Sequence, residues 1–562
     1  MFSRYFYTLI NLKPVQIKYL IWYRTFGLLS NIFRHRYQFK YGNHGYPVSL
    51  LPFLSKKDSF NNYSFNFLNI KRDICRSQIP IDSLRDLRIN WNDLTCGKLW
   101  AYNLNYMDYL LQEDISKDDS LILIDLFIND IRSNRIGMEP YPISLRAVNW
   151  IKFLSLLPVG YLKEYNGPSM ITKINDSLCY QYQILEKNLE YHILGNHLLE
   201  NGISLLFGAF YFREYKLWST AVKLIAHELN EQILQDGAHF ELSPMYHQIL
   251  TDRLLDCINL LQNNKVFENQ GSLYDLLVHK ASLMVRWLEK ITFSSGDIPL
   301  FNDSAFSISP STIDILKYAC RLGIMEKISD MEFEFSDSGY RKYSDGKYEL
   351  IFDIGPTGPN YQPGHAHADT FTFELQIDGS PAIVDTGTST YNKGERRLLE
   401  RGSVSHNITT INDKNSSDVW SGHRIGRRAN VIVENDDPRT LSCSHTGYDH
   451  MGYRVYRTLF TEPERIIIVD KTIPNRNKLR SKYLNKETRA TARLHIHPDR
   501  TLVENGQTIT VDGKTDIVFH GNSKIRIKDF WYAPQFNQLV KSKVIEVEFE
   551  DELRTIISIR DA

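Results

Sequence analysis

The chain has 562 residues, with 66 Lys plus Arg set against 66 Asp plus Glu, so its formal net charge is zero. That balance excludes a global electrostatic case for nucleic-acid binding. Hydrophobic residues at 42% and charged residues at 23% exclude a disordered or fibrous chain, and a 12% aromatic content supplies both cores and surfaces that can stack on sugar rings.

The chain starts MFSRYFYTLINLKPVQIKYLIWYRTF, basic and aromatic but interrupted by Arg4, Asn11, Lys13, Pro14, Gln16 and Lys18. It has no long apolar run followed by an A-x-A site, so no signal peptide is recognised. No stretch approaches the ~18 apolar residues of a transmembrane helix. The first acidic residue is Asp58, after Arg4, Lys13, Lys18, Arg24, Arg34, Arg36, Lys40, Lys56 and Lys57. Residues 1–57 therefore read as a basic arm. It either packs on the body of the protein or attaches peripherally to an anionic membrane or a partner. The expected location is cytoplasmic or envelope-associated in a bacterium.

Residues 58–335 read as helices. LIDLFINDIRSNR, SLRAVNWIKFLSLLP, NHLLENGISLLFGAFYFRE, STAVKLIAHELNEQILQ and QILTDRLLDCINLLQNN carry apolar residues at i, i+3, i+4, i+7 spacing. Repeated helix pairs predict a helical barrel or toroid. Residues 336–562 change texture: YELIFDIG, TFTFELQID, PAIVDTG, ERIIIVDKTI, TARLHIH, KIRIKDFWY and VIEVEFED are short, β-branched or aromatic and bounded by turn residues. With no helices between them they predict an antiparallel β-sandwich. The fold class is thus α+β multidomain, and the junction between its halves is the first place to look for a cleft. Six cysteines (75, 96, 179, 257, 320, 443) without a CxxC read as buried free thiols.

Walker, HExxH, GxSxG and GxGxxG signatures are missing, which argues against an NTPase, a zincin, an α/β-hydrolase and a dinucleotide enzyme. Four polar clusters remain. In GNHLLENG, His197 shares a helix face with Glu200 and Asn201, next to Asn196. In DGAHFELSPMYHQ, Ser243-Pro244 reads as N-cap and N1, which places Tyr246 in a first helical turn whose dipole favours a tyrosinate. In GPNYQPGHAHADTFTFEL, His365, His367 and Asp369 alternate and would share one face of a strand, with Asp385 on the next. Two histidines and a carboxylate suit Zn²⁺. In RRLLERGSVSHNITTIN, His406 offers a third nitrogen, and Arg397 and Arg401 lie one helical turn apart.

GHAHADTFTFELQIDGSPAIVDTGTSTY followed by SHNITTIN, with NHLLENG, SPMYH, LWAYNLNYMDYL and YPISLRAVNW before them, resembles the heparinase II/III-type polysaccharide lyases and the related alginate and oligoalginate lyases. The resemblance spans residues 90–560. It implies an incomplete α/α toroid followed by a β-sandwich, and β-elimination at a uronic acid in an acidic polysaccharide, here expected to be the cell's own capsule or exopolysaccharide. By resemblance Tyr246 is the acid, and the base for one C5 configuration. His365 is the base for the other, and Asn196 with His197 quenches the uronate charge. His367, Asp385 and His406 resemble the ligands of one structural divalent metal, expected to be Zn²⁺; spacing alone leaves Asp369 as a rival ligand. Glu200, Asn201, Arg146, Arg397, Arg401 and Tyr391 are candidate substrate contacts. Two rivals stay open: a glycoside hydrolase drawing its carboxylates from Glu200, Glu241, Asp297 and Asp303, and a non-catalytic polysaccharide-binding or assembly protein.

Overall fold

Helical spacing of apolar residues produces the first half of the molecule. The computed structural model describes residues 2–25, 44–56, 59–61, 64–73, 84, 87–162, 168–328, 333–474 and 489–560. Cys75 and the basic residues Arg34, Arg36, Lys40 and Lys57 lie outside the described residues. The helices are α1 (Phe2–Leu9), α2 (Pro14–Thr25), α3 (Lys98–Tyr106), α4 (Lys117–Asp130), α5 (Pro140–Ser155), α6 (Pro168–Lys187), α7 (Gly195–Phe212), α8 (Tyr215–Gln232), α9 (Pro244–Asn263), α10 (Gln270–Ile291), α11 (Thr312–Arg321) and the short α12 (Met325–Ile328). Serine side chains cap three of them: Ser116, Ser243 and Ser311 accept from the backbone N–H groups of Asp119, Tyr246 and Asp314. Helix α7 packs on α5 and α8, and α9 on α10. Every residue of α7 except His197 is buried, so the one partly exposed side chain on this central helix belongs to the polar patch at its start.

One stretch read as helical forms strands instead. Phe60–Asn61, Ser64–Phe67 and Ile70–Asp73 pair antiparallel as β1, β2 and β3. Phe65 and Phe67 are two residues apart, and both rings lie against Tyr109, at 5.0 and 6.0 Å. A period of two beats a helical period when two aromatics share one face.

From Tyr340 onward the chain is mostly strands. They are β4 (Tyr340–Ser344), β5 (Tyr348–Asp353), β6 (Phe373–Ile377), β7 (Ser380–Ile383), β8 (Thr409–Ile411), β9 (Val419–Trp420), β10 (Arg424–Ile425), β11 (Val431–Asp437), β12 (Thr440–His445), β13 (Tyr453–Glu462), β14 (Arg465–Pro474), β15 (Ala490–Ile496), β16 (Leu502–Asn505), β17 (Thr508–Val511), β18 (Thr515–Tyr532) and β19 (Val540–Ile559), with a short helix α13 (Glu395–Glu400). Apart from the β9–β10 hairpin they join one antiparallel sheet of 14 strands, whose main path runs β11-β12-β13-β14-β19-β15-β7-β6-β5-β4. The two ends of that path meet: Arg341 on β4 makes a two-pronged ion pair with Asp436 on β11. The sheet therefore curls over a single apolar core in which Leu350, Phe373, Leu459, Ile517 and Ile545 are all buried.

The described cysteines are free thiols, as expected. Cys179, Cys257 and Cys443 are buried, Cys96 is half-buried and Cys320 is exposed. No described helix is long and apolar enough to cross a membrane.

Candidate active site

Ser243 starts the site. It caps α9 as Pro244 fixes the first helical residue, and its hydroxyl also donates to the Asp303 carbonyl at 2.7 Å. This ties the turn that presents Tyr246 to the loop around Asp303. The Tyr246 ring stacks on His365, with centroids 3.8 Å apart and planes at 18°. Its hydroxyl lies 3.2 Å from that of Tyr391. The helix dipole would favour a tyrosinate, yet burial wins and pushes the Tyr246 hydroxyl well above its ordinary range, against a lowering influence from Tyr391. Tyr246 is thus a held proton.

His365 Nδ1 is in hydrogen-bond contact with Glu241 Oε2. Burial opposes ionisation of Glu241, but the neighbouring His365 outweighs it and draws the carboxyl below its usual value. A carboxylate on Nδ1–H leaves Nε2 as the free base of the ring. Glu241 entered the sequence analysis only as a hydrolase candidate; its role as the orienter of His365 appears only in three dimensions. Gly195, opening α7, sits at φ +59°, and a Cβ there would stand 3.0 Å from the second Glu241 oxygen. The position needs glycine twice, for its backbone angle and for room.

Asn196 is buried, and its side-chain oxygen has no hydrogen-bond partner. His197 Nδ1 lies 3.0 Å from Glu190 Oε1, and its ring centroid is 4.3 Å from that of Tyr141. Burial works against a charge on His197, but Glu190, then Glu241 and Glu200, raise it above its ordinary value. Sequence reading missed Glu190, which also accepts from Asn201 Nδ2 at 3.0 Å. It missed Tyr102, Tyr106 and Tyr141 too, a half-exposed aromatic row with centroids 5.9 and 6.0 Å apart that leads to His197.

The segment carrying His365, His367 and Asp369 is a loop rather than the expected strand. Side chains replace ladder partners. Asn302 Oδ1 accepts from the His367 N–H at 3.0 Å, Arg401 donates to the Ala366 carbonyl, and Ser403 donates to the Ala368 carbonyl. The histidines consequently diverge: His365 meets Glu241, whereas His367 Nε2 lies 2.8 Å from Asp303. Asp303 also takes both guanidinium prongs of Arg397.

Ligand-type atoms of His367, Asp369 and His406 lie within 4.8 Å of one another, all buried. His367 Nδ1, Asp369 Oδ2 and His406 Nε2 have no hydrogen-bond partner. Asp385, the carboxylate assigned by resemblance, stands behind this group, its Oδ2 2.8 Å from His406 Nδ1. Two imidazole nitrogens and one carboxylate oxygen, each buried without a hydrogen-bond partner, fit a divalent metal such as Zn²⁺. With a metal bound there, Asp303 on His367 Nε2 and Asp385 on His406 Nδ1 would stand where outer carboxylates orient histidine ligands.

Several expected substrate contacts are structural instead. Arg146 is fully buried; it donates to Gln181 and the Asn105 carbonyl and stacks on Phe127. Glu200 is buried against Arg253, and Asn201 between Glu190 and Ser144. Arg397 and Arg401 are fully buried and spend their donors on Asp303 and on backbone carbonyls. The four side chains other than Glu200 are spent on protein partners, and Glu200 keeps one buried oxygen, Oε2, without a partner among the described residues. Tyr391 is half-exposed, with its hydroxyl beside that of Tyr246.

Four non-glycine residues next to the site hold left-handed backbone angles: Leu194 (φ 64°), Leu242 (φ 56°), Asn302 (φ 55°) and Phe371 (φ 78°). Such angles cost on the order of 1–3 kcal/mol each and persist where surroundings over-determine them. Here the Leu242 carbonyl accepts from Tyr340 and from Asn302, at 2.5 and 3.0 Å.

Comparison with known proteins supplies the lineage. Residues 169–320 match the family model for the heparinase II/III N-terminus, and residues 329–560 that for the heparinase II/III-like C-terminal region. The chain belongs to the heparinase II/III family. Curated relatives include a heparin-sulfate lyase of Bacteroides stercoris, 21% identical over 311 residues, and one of Pedobacter heparinus, 22% identical over 307. Each match takes in 50% of this chain and 44% of the relative, so this heparinase II/III chain spans less than half the length of those enzymes. Solved structures share the fold. A heparinase III structure has a TM-score of 0.64 at 14% identity, covering 85% of this chain and 80% of its own. Heparan sulfate lyase HepC of Pedobacter heparinus has a TM-score of 0.56 at 14% identity, covering 95% and 88%.

The buried histidines outside the site make a further expectation about pH. His247 donates from Nε2 to the Met284 carbonyl, and its Nδ1 accepts from the His239 N–H. His445 Nδ1 likewise accepts from the Gly447 N–H. A second proton on either ring would face a backbone donor, and burial depresses both to about 3 from the ordinary 6.5. In that window the unfolded chain binds more protons than the folded one. Stability is therefore complete above pH 6.5 and is lost as pH falls toward 3, by about 2 kcal/mol per histidine at pH 5. Urea unfolding at pH 7 and pH 5 reads this directly, and His247→Gln should flatten the difference. Equal stability at the two pH values would refute it.

Proposed function

We propose that this protein is a polysaccharide lyase that cleaves a uronic-acid-containing chain by β-elimination: the C5 proton leaves, the C4–O bond breaks, and an unsaturated sugar forms. The observation that carries this reading is the stack of Tyr246 on His365, with Tyr391 at the tyrosine hydroxyl and Glu241 on the histidine. An oriented imidazole and a held phenolic proton in contact supply the base and acid that such an elimination needs.

His365 Nε2 takes the C5 proton, while Glu241 fixes the tautomer. Tyr246 delivers its proton to the departing O4. For substrates of the opposite C5 configuration the tyrosine itself would have to be the base, and the burial that raises it works against that role at rest. The uronate carboxylate must be neutralised as charge develops at C5. Asn196 at the positive end of the 18-residue α7, beside a His197 biased toward its charged form, suits that task. Tyr102, Tyr106 and Tyr141 offer faces for sugar rings. The hydrolase alternative loses ground because Glu200, Glu241 and Asp303 are each bound to a cationic or imidazole side chain. The finer architecture implied by the resemblance, an incomplete α/α toroid against β-sandwich layers, belongs to the same reading.

The test is ultraviolet absorbance of the unsaturated product on a panel of uronic-acid polysaccharides, including acidic exopolysaccharide of the producing cell, with Tyr246→Phe as control. New reducing ends without absorbance would replace the lyase by a hydrolase.

We further propose that His367, Asp369 and His406 hold one structural divalent metal, which would clamp the His365 loop to the loop after α13. Elemental analysis of the purified protein is expected to find about one equivalent. Asp369→Asn should remove it, whereas Asp385→Asn should weaken binding by about 10- to 100-fold. Chelation should lower the melting temperature. Metal retained in Asp369→Asn and lost in Asp385→Asn would exchange the two carboxylates.

A further inference from the structure

The basic arm is a packed element with a second apolar face that stays exposed among the described residues. Its inner side is well anchored on both halves of the molecule. Thr8 on α1 donates to the Ile425 carbonyl and accepts from Trp420 Nε1, and Tyr5 packs on the Trp420 ring at 4.9 Å. On α2, Gln16 donates to the Ile193 carbonyl, Tyr23 donates to the Leu189 carbonyl, and Tyr19 stacks on Tyr191 at 4.8 Å. Those contacts use positions 16, 19 and 23, one face of the helix.

The outer side does not look like a solvated surface. Phe6, Leu9 and Ile10 on α1 and its end, at i, i+3, i+4, are 53–59% exposed, and Ile17 and Ile21 on α2, at i, i+4, are 43% and 59% exposed. Eight of the 22 exposed large apolar side chains among the described residues fall within residues 5–22. A helix that is apolar on both faces is ordinarily covered on both. The charges that the arm itself contributes are all of one sign, with Lys13 paired to Glu231 on α8. Arg4, Lys18 and Arg24 are exposed, and no acidic residue precedes Asp58.

We infer that α1 and α2 form a docking surface for an anionic lipid bilayer. Apolar side chains enter the headgroup boundary while arginine and lysine meet the lipid charge, and the contact stays on the surface because no described helix can span. The exposed Arg4, Lys18 and Arg24 are what select lipid over a second copy of the same face, since two such arms would repel. Because α1 grips the β9–β10 hairpin and α2 grips the 189–193 turn that contains Glu190, docking would hold the candidate active site at a fixed distance from the membrane. This surface is independent of the reaction proposed above.

The test uses the full chain and vesicles of phosphatidylcholine with and without about one-third phosphatidylglycerol. Sedimentation with the anionic vesicles at low salt is expected, falling as salt rises. Lys18→Glu/Arg24→Glu should weaken partitioning by about 10- to 100-fold. Ile17→Ser/Ile21→Ser should weaken it too, with melting temperature unchanged because both side chains point to solvent. No sedimentation with anionic vesicles, or binding that ignores both double variants, would overturn the inference. So would a lipid-free dimer that Ile17→Ser/Ile21→Ser dissolves, which would assign the face to a second copy.

Discussion

Tyr246→Phe is expected to lower the rate of uronate elimination by about 10²- to 10⁴-fold, the range for losing one positioned proton donor. The substitution removes one oxygen and leaves the ring stacked on His365, so the architecture should survive. Among the described residues that oxygen meets the Tyr391 hydroxyl at 3.2 Å, and Tyr391 is itself half-exposed. Since burial keeps Tyr246 protonated, the loss should appear in kcat rather than in KM, as for an interaction made only in the transition state. His365→Ala should cost a comparable factor, and Glu241→Gln less, because an amide still occupies the place facing Nδ1. Initial rates by ultraviolet absorbance, alongside melting curves, decide the matter. A Tyr246→Phe enzyme retaining more than about a tenth of the wild-type rate would remove the tyrosine from the chemistry.

Asp303→Ala is expected to be the most destabilising single change near the site, at about 3–5 kcal/mol, because it strands a buried guanidinium. Arg397 and Asp303 are both wholly buried, joined by two hydrogen bonds. Burial opposes a charge on Asp303, but Arg397 and then His367 overcome it and hold the carboxyl well below its usual value. The same oxygens meet His367 Nε2 and Thr388. The backbone of Asp303 is bonded on both sides, its carbonyl to Ser243 and its N–H to the His365 carbonyl at 3.0 Å. One residue thus fastens the Tyr246 turn, the His365 loop and the rear of the proposed metal group. Denaturant unfolding measures the loss. The double variant Asp303→Ala/Arg397→Met should recover part of it, since no charge is then left unpaired. Additive losses would show that the pair does not act as a unit.

The arginines show how a local pattern can mislead about a global role. Arg397 and Arg401 do fall one turn apart, on α13 and at its end, as the spacing said. Nothing local, however, says that Asp303, nearly a hundred residues earlier, waits for one of them, or that the Ala366 carbonyl waits for the other. Arg146 is the same case inside the helical half. Short-range chemistry was readable: the Ser243-Pro244 cap that places Tyr246 and the switch from helical to strand period near residue 340. Both depend on neighbours within about a turn of helix or along one strand, where backbone geometry fixes which side chains meet.

What only the tertiary structure decided depends on contacts between distant segments. The His365–Asp369 stretch alternates like a strand, yet it forms a loop because side chains from Asn302, Arg401 and Ser403 satisfy its backbone. Glu241 lies against a histidine because His365 arrives from more than a hundred residues away. The open ligand atom beside His367 and His406 belongs to Asp369, while Asp385 was drawn to the far nitrogen of His406. The physical reason is common to all three. A buried polar group takes whichever partner the closed core brings within hydrogen-bond range, and sequence spacing says nothing about partners that only folding makes adjacent.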